Sequence, residues 1–269
     1  MKQDYFDLEK YCAKYIIYAD PLSLRRLKSV INEILNYSKL SGKKQLKVLD
    51  MGCGLGGMTF PLSALGHHVV GVDLDSKSIL ACKQRNTFLE ASYQVGNGES
   101  LNLDEKFDAI ICSEVMEHSQ HPELILQSIS RHLNPRGIGI ITVPNGYCLY
   151  EVLFSRIFQK VGILSLFHKL PKNIYTALTG SPSPYHSMNV CCHHVQFFSL
   201  QKISDLFDKN DFDIITIHNL SLGILLDWKC LSDLKRIECN LAESAPHFLA
   251  GGWIFVIKPR MNNKINNPP

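Results

Sequence analysis

The sequence predicts a doubly wound α/β domain, and three observations carry that reading. Short apolar runs alternate with segments of helical periodicity from residue 46 to about residue 143, the pattern of a parallel sheet covered on both faces. A glycine-rich stretch separates the first of these strands from the helix after it, where open α/β sheets bind ligands. Finally, 269 residues with 45% hydrophobic content suffice for one large domain, or for one domain with an inserted subdomain.

Two helical patterns open the chain over residues 1–45. The second is the better marked: Asp20 as N-cap, Pro21 at the first helical position, then Leu24, Leu27, Ile31, Ile34 and Leu35 on one face. These helices are expected to pack across the sheet edge or to cover the site. After a linker, Ser41 to Gln45, the strand LKVLD leads into the glycine loop and a helix. HHVVGVD is a strand with a helix from Asp75 to Glu90 behind it. FDAIICS is a strand followed by a proline-started helix from Pro122 to Leu133, and GIGIITV is a further strand.

Residues 144–197 break the alternation with an apolar stretch, Tyr150 to Phe167, then SPSP and a histidine-rich run. So long an excursion between sheet elements reads as a helical lid or substrate insert. Ser199 caps a helix to about Asn210. The runs FDIITI and GGWIFVIKP are expected to pair antiparallel at the sheet edge, giving a core of residues 46–143 and 198–260. Residues 261–269 are expected to form a flexible polar tail.

A formal charge of +3, with acids and bases interspersed, gives neither a basic stripe nor an acidic tail, so nucleic acid is neither indicated nor excluded. The first ten residues are too charged for a secretory signal, and Arg156 and Lys160 interrupt the apolar stretch Val152 to Phe167; neither a signal peptide nor a membrane span is expected. The nine cysteines include no CxxC pair, which suits reduced thiols and a cytoplasmic location. The adjacent Cys191 and Cys192 read as small apolar fillers rather than a soft-metal site. His67, His68 and His132 read as surface or strand-end residues, and His121 as the neighbour of a helix N-cap.

VLDMGCGLGG places Gly52, Gly54 and Gly57 in the GxGxxG spacing, which allows a tight turn and the approach of a nucleotide-like ligand to the backbone. Asp73 ends the second strand, 19 residues beyond Gly54, where a carboxylate accepts from ribose hydroxyls. Both NAD and S-adenosylmethionine meet these requirements. Asp50 helps to separate them: its carboxylate repels a diphosphate and favours a sulfonium cofactor carrying an α-amino group. Whether Asp50 touches the ligand or only caps the turn stays open at this point.

Five stretches, VLDMGCGLGG, the acid in VVGVDLD, VGNGESL, FDAIICSEVMEH and LNPRGIGIITVPN, match in order and spacing the motifs of class I S-adenosylmethionine-dependent methyltransferases. The resemblance covers about residues 46 to 145, and more loosely 194 to 258. It implies a Rossmann-like, seven-stranded, mostly parallel sheet whose last strand is antiparallel. Carried over by position, it puts the methionine moiety at the turn from Gly52 to Gly54 and the ribose at Asp73 beside Leu74. The adenine edge falls at Asn97 and Gly98, and the cofactor's amino-acid end at Ser113. The chain departs from the family at Asn97, where Asp is usual; an amide oxygen still accepts from the adenine amino group, so weaker rather than lost binding is expected.

SEVMEH, Ser113 to His118, follows the fourth strand at the carboxyl edge of the sheet. If the segment is a helical turn, Glu114, Glu117 and His118 share a face and make an incomplete coordination set. His194, just before VQFFS, completes it, because an extended backbone sends His193 the other way. The ExxEH pattern with a distant histidine is similar to two metal-assisted groups, the ubiquinone-biosynthesis O-methyltransferases and the small-RNA 3′-end 2′-O-methyltransferases; the latter also have a dipeptide like Pro144-Asn145. Both methylate one oxygen of a vicinal diol, and a divalent ion such as Mg²⁺ or Mn²⁺ bound to both oxygens would acidify and align the hydroxyl. On this reading Glu117, His118 and His194 are catalytic and Glu114, Glu117, His118 and His194 hold the metal. A metal-free general base at His118 or His194, or a structural role, are the competing readings.

The insert from Tyr147 to Cys192 is apolar and aromatic, with Tyr150, Phe154, Phe158, Phe167, Tyr175 and Tyr185, which suits a small hydrophobic or aromatic acceptor. Its cations, Arg156, Lys160, Lys169 and Lys172, make only a thin funnel for RNA. Small-molecule O-methylation therefore leads, with RNA 2′-O-methylation as the alternative. A non-catalytic cofactor-binding subunit is a third reading, opposed by the intact glycine loop and polar cluster.

Overall fold

The computed structural model describes residues 21–148, 194–224 and 232–260. The first helical pattern, Asp20, most of the insert with His193 and the Cys191–Cys192 pair, and the tail lie outside the described residues.

Helix α1 (Pro21–Ser41) precedes a parallel run of strand and helix: β1 (Lys47–Met51), α2 (Thr59–Ala64), β2 (His68–Asp73), α3 (Ser76–Arg85), β3 (Ala91–Val95), β4 (Phe107–Ser113), α4 (Pro122–His132) and β5 (Leu133–Pro144). Beyond the insert come α5 (Leu200–Lys209), β6 (Phe212–Ser221), α6 (Ser232–Ala242) and β7 (Gly252–Pro259). The seven strands form one sheet in the order β3-β2-β1-β4-β5-β7-β6. β7 runs antiparallel to both of its neighbours and the other pairings are parallel. The order reverses between β1 and β4, so the loops leaving these two strands diverge and open a crevice at their carboxyl ends.

Alternation along the strands divides the core between the faces of the sheet. Leu49, Met51, Ile110 and Cys112 pack beneath α4 and α5, with Ile129, Ile203 and Phe207. Val48, Ala109, Ile111 and Ile140 pack on the other face against Leu27, Val30, Ile31 and Ile34 of α1. Leu35 of the expected helix stripe is 37% exposed instead, while Val30 is buried. α1 thus both covers the sheet near β6 and β7 and, by its first turns, reaches the crevice.

Three local readings differ from the sequence expectation. Ala91–Val95 is a strand although its residues, ASYQV, carry no apolar run; pairing with β2 holds it at the sheet margin. α3 stops at Arg85, because Asn86 accepts from the Phe88 amide and donates to the Ala91 carbonyl, local bonds that compete with the helix. His67 and His132 are buried rather than at the surface, and one ring nitrogen of each accepts from a backbone amide, Nδ1 of His67 from Leu46 and Nε2 of His132 from Leu103. His68 is exposed.

Candidate active site

A cleft of about 480 Å³ occupies the crevice between β1 and β4, and its lining includes Asp50, Gly52, Gly54, Gly57, Asp73, Leu74, Asn97, Gly98 and Ser113. The glycine loop turns sharply over the end of β1. Gly52 has φ +78°, and a Cβ there would lie 2.2 Å from the Val115 side chain, so both backbone and space require glycine. Gly56, at φ +85°, meets the Phe60 ring, and Gly54, at φ +51°, is left-handed in open space, whereas Gly57 has ordinary backbone and open space. Asp73 braces this loop: one carboxylate oxygen accepts from the Gly54 amide at 2.7 Å and the other from the Asp75 amide at 2.9 Å.

Asp50 is 1% exposed and accepts a 2.6 Å hydrogen bond from the Thr59 hydroxyl. Burial pushes its carboxyl up to about 6, the Thr59 hydroxyl opposing the rise and the Asp73 charge adding to it. It therefore both caps the first turn of α2 and lies in the cleft wall. Asn97 is exposed, and its side-chain oxygen accepts from the Glu99 amide at 2.9 Å, starting the short 3₁₀ turn Gly98–Ser100. That oxygen already has one donor, which bears directly on the acceptor role implied for it.

The run after β4 is not a helical turn from Glu114 onward. Glu114 takes a left-handed φ of 55°, and only Met116–His118 form a 3₁₀ turn. Glu114 accepts from the Thr142 hydroxyl at 2.8 Å and pairs with Arg26 of α1 at 3.2 Å. Ser113 joins the same network through Thr142 at 2.9 Å. Glu114 is thereby engaged by Thr142 and Arg26 and is not part of the group formed by Glu117, His118 and His194, which corrects the expectation that Glu114, Glu117 and His118 share a helical face.

Glu117, His118 and His194 do come together: one ligand atom from each lies within 4.8 Å of the others. The 194–198 segment reaches them because the amides of Val195 and Gln196 both donate to the Glu117 carbonyl, at 2.9 and 3.0 Å. The two imidazole rings are 5.1 Å apart, edge to face. Glu117 is 1% exposed, and neither carboxylate oxygen has a hydrogen-bond partner among the described residues. Burial holds its carboxyl well above the usual range, and the nearby Glu114 charge adds to the effect. A buried carboxylate left without donors fits a cation, and two imidazoles with one carboxylate are a donor set for a transition ion or Mn²⁺. His118 also lines the cleft, so the group and the cleft share a wall.

Arg26 escaped the sequence reading. It stands 24 residues before Asp50 in the chain and enters the cleft only because α1 folds back over the sheet. With Arg85 it supplies the cations of the lining, and its Nε is buried without a hydrogen-bond partner among the described residues. Among the described residues no helix is long and apolar enough to cross a membrane.

A family model described as "Methyltransferase domain" matches residues 21–217. The chain is 26% identical over 218 residues to a ubiquinone biosynthesis O-methyltransferase of Pelagibacter ubique, covering 80% of this chain and 82% of that one. It is 30% identical over 168 residues to the Rickettsia typhi protein of the same name, covering 57% of this chain and 65%, just under two thirds, of the relative. Two solved structures share the fold at 16% identity and a TM-score of 0.52. One is a TehB-like S-adenosylmethionine-dependent methyltransferase from Corynebacterium glutamicum, with 93% of this chain and 94% of that one covered. The other is the magnesium protoporphyrin IX methyltransferase of Synechocystis with bound S-adenosylhomocysteine, at 88% and 84%. With a family model spanning the glycine loop, the cleft and most of the sheet, the chain belongs to the methyltransferase-domain family and is an S-adenosylmethionine-dependent methyltransferase.

Proposed function

We propose that the protein methylates a hydroxyl of a small, partly hydrophobic acceptor with two adjacent oxygens, aided by a divalent ion held by Glu117, His118 and His194. The observation that carries this reading is the Glu117 carboxylate, buried and without hydrogen-bond donors among the described residues, beside two imidazoles of which one also lines the cleft. When bound, the ion would lower the pKa of the acceptor hydroxyl and fix its oxygen. The chain's own residues do the rest. Asp73 would hold the ribose, Asn97 and Gly98 would meet the adenine, and the turn from Gly52 to Gly54 would let the methionine portion approach the backbone. Asp50 and Arg26 would face the cofactor's cationic and carboxylate ends, and Ser113 its amino-acid end. His118 would border both donor and acceptor, keeping the attacking oxygen close to the methyl carbon. The names of the relatives, ubiquinone biosynthesis O-methyltransferases, support oxygen as the acceptor atom. We place the enzyme in the cytoplasm because the five described cysteines are all buried and unbridged.

Methylation of an RNA 3′ end draws less support. Asn145 of the Pro144-Asn145 dipeptide is buried, donating to the Ala250 carbonyl at 2.7 Å and accepting from the Tyr147 amide at 3.0 Å, so the turn itself accounts for it. Turnover of S-adenosylmethionine should be measured with a catechol and with an oligoribonucleotide bearing a free 3′ diol, after chelation and after Mn²⁺ or Mg²⁺ return. We expect catechol methylation that collapses on chelation and returns with the ion. Undiminished turnover in chelator rejects the metal, and activity on the oligoribonucleotide alone rejects the small acceptor.

A further inference from the structure

Cys53 and Cys82 converge beneath the glycine loop. Cys53 follows Gly52 in the loop and lines the cleft; Cys82 lies in α3 and is fully buried. Both thiols point to one acceptor, the Gly54 carbonyl, from 3.8 Å for Cys53 and 3.3 Å for Cys82. All five described cysteines are buried, but these two share an acceptor in the glycine loop. The absence of a side chain at Gly71 makes the room: a Cβ there would lie 3.0 Å from the Cys53 sulfur. The nearness of the two thiols also holds Cys82 below the ordinary thiol range and, with burial, raises Cys53, giving the pair one sulfur of more thiolate character.

We infer that Cys53 and Cys82 form an oxidative modification site: a dithiol in the floor of the cofactor cleft that a small hydroperoxide converts to a disulfide, with loss of cofactor binding. The second clause rests on the reading of this cleft as the S-adenosylmethionine site. In the first step one sulfur attacks the peroxide, the O–O bond breaks, an S–OH bond forms and water leaves with that thiol's proton. The second sulfur then displaces the hydroxyl, forming the S–S bond as S–O breaks, and the second thiol's proton leaves in a second water. The two sulfurs give up two electrons, and one hydrogen peroxide becomes two waters. The cleft that Cys53 lines is the path for so small an oxidant.

Bridging would matter because it draws the sulfurs to about 2 Å apart and removes both donors from the Gly54 carbonyl. The amide of Gly54 is the group that Asp73 braces. A shift there would pull the turn away from the carboxylate that is to hold the ribose.

The test is to treat the full chain with hydrogen peroxide, digest it with trypsin and look for the peptides Val48–Lys77 and Ser78–Lys83 joined by a disulfide; each contains one cysteine. Affinity for S-adenosylhomocysteine is measured by calorimetry before oxidation, after it, and after dithiothreitol. We expect the linked pair to appear, affinity to fall at least tenfold, and dithiothreitol to restore both. In Cys82→Ala, oxidant should change affinity less than twofold relative to the same variant reduced. Failure of the linked pair to form, a linked pair with unchanged affinity, or an equal loss in Cys82→Ala would each overturn the inference. If the reduced protein does not bind S-adenosylhomocysteine, the cofactor reading fails instead, while the peptide map still reports on the dithiol.

Discussion

The guanidinium of Arg26 and the carboxylate of Glu114 meet at 3.2 Å where α1 passes the end of β4. An arginine in the wall of the cleft, its Nε buried and without a partner among the described residues, is placed to receive the carboxylate of the cofactor's methionine portion, exchanging one anion for another. Replacing Arg26 by Met should weaken S-adenosylmethionine binding ten- to a hundredfold, the value of a charge-assisted hydrogen bond of about 1.5–3 kcal/mol. An analogue lacking the carboxyl should lose almost nothing. Titration calorimetry with both ligands checks this, and an equal loss for the two would assign Arg26 to holding Glu114 alone.

Glu117 is a second case in which a structural cost marks a function. Its buried carboxylate has no donor among the described residues and its pKa is raised by burial, so ionisation destabilises the fold as pH rises. Glu117→Gln removes that charge at nearly the same volume. In chelator the variant should melt higher than wild type, by about 2–4 °C for each kcal/mol gained, and the difference should grow with pH. The same substitution should reduce metal-stimulated turnover by two orders of magnitude or more. A variant that melts lower and turns over normally would return Glu117 to a structural role.

Much of this was legible in the sequence, for reasons that can be named. Strands such as FDAIICS show themselves because a parallel strand buried on both faces is mostly apolar, here Ala109 to Cys112 in an unbroken run. Ala91–Val95 does not, because a strand at the sheet margin needs few apolar residues. The glycine loop is readable as a spacing, yet the spacing favours Gly57 when it is Gly56 that the Phe60 ring constrains. Glu114 could not be placed, since a left-handed φ in a residue with a side chain is decided by its partners, here Thr142 and Arg26. The pairing of His194 with His118 depends on two amides of a returning segment meeting one carbonyl of Glu117, a long-range fact that spacing does not encode. The aromatic insert, read as the acceptor's wall, lies almost wholly outside the described residues.

Asp50 gives a pH prediction with two signs. Its folded-state pKa, about 6, lies above the ordinary 3.8, so the protonated form is favoured in the fold. The corresponding stability is present below about pH 4 and is lost as pH rises to about 6, roughly 3 kcal/mol in all. Cofactor binding should run the other way, since a cationic ligand prefers the ionised carboxylate; affinity should rise between pH 5 and pH 7. Asp50→Asn should flatten both profiles and lower affinity at pH 7 about tenfold. Calorimetric titrations and melting curves at several pH values decide it, and an affinity profile unchanged in Asp50→Asn would leave Asp50 as the cap of Thr59 only.

The turn at Gly52 can be divided into its two constraints. An alanine there meets a left-handed backbone, at about 1–2 kcal/mol, and a methyl group of Val115 only 2.2 Å from the new Cβ. Gly52→Ala should therefore destabilise the protein by several kcal/mol and abolish cofactor binding. Adding Val115→Ala removes the overlap while leaving the backbone cost. The double variant should recover part of the lost stability, and the two substitutions should be strongly non-additive, as expected of residues in direct contact. Denaturant unfolding of the four proteins in the cycle measures the coupling. Additive effects would mean that the loop moves away from β4 when a side chain is introduced, and that the close approach of Gly52 to Val115 is not what fixes the shape of the cleft.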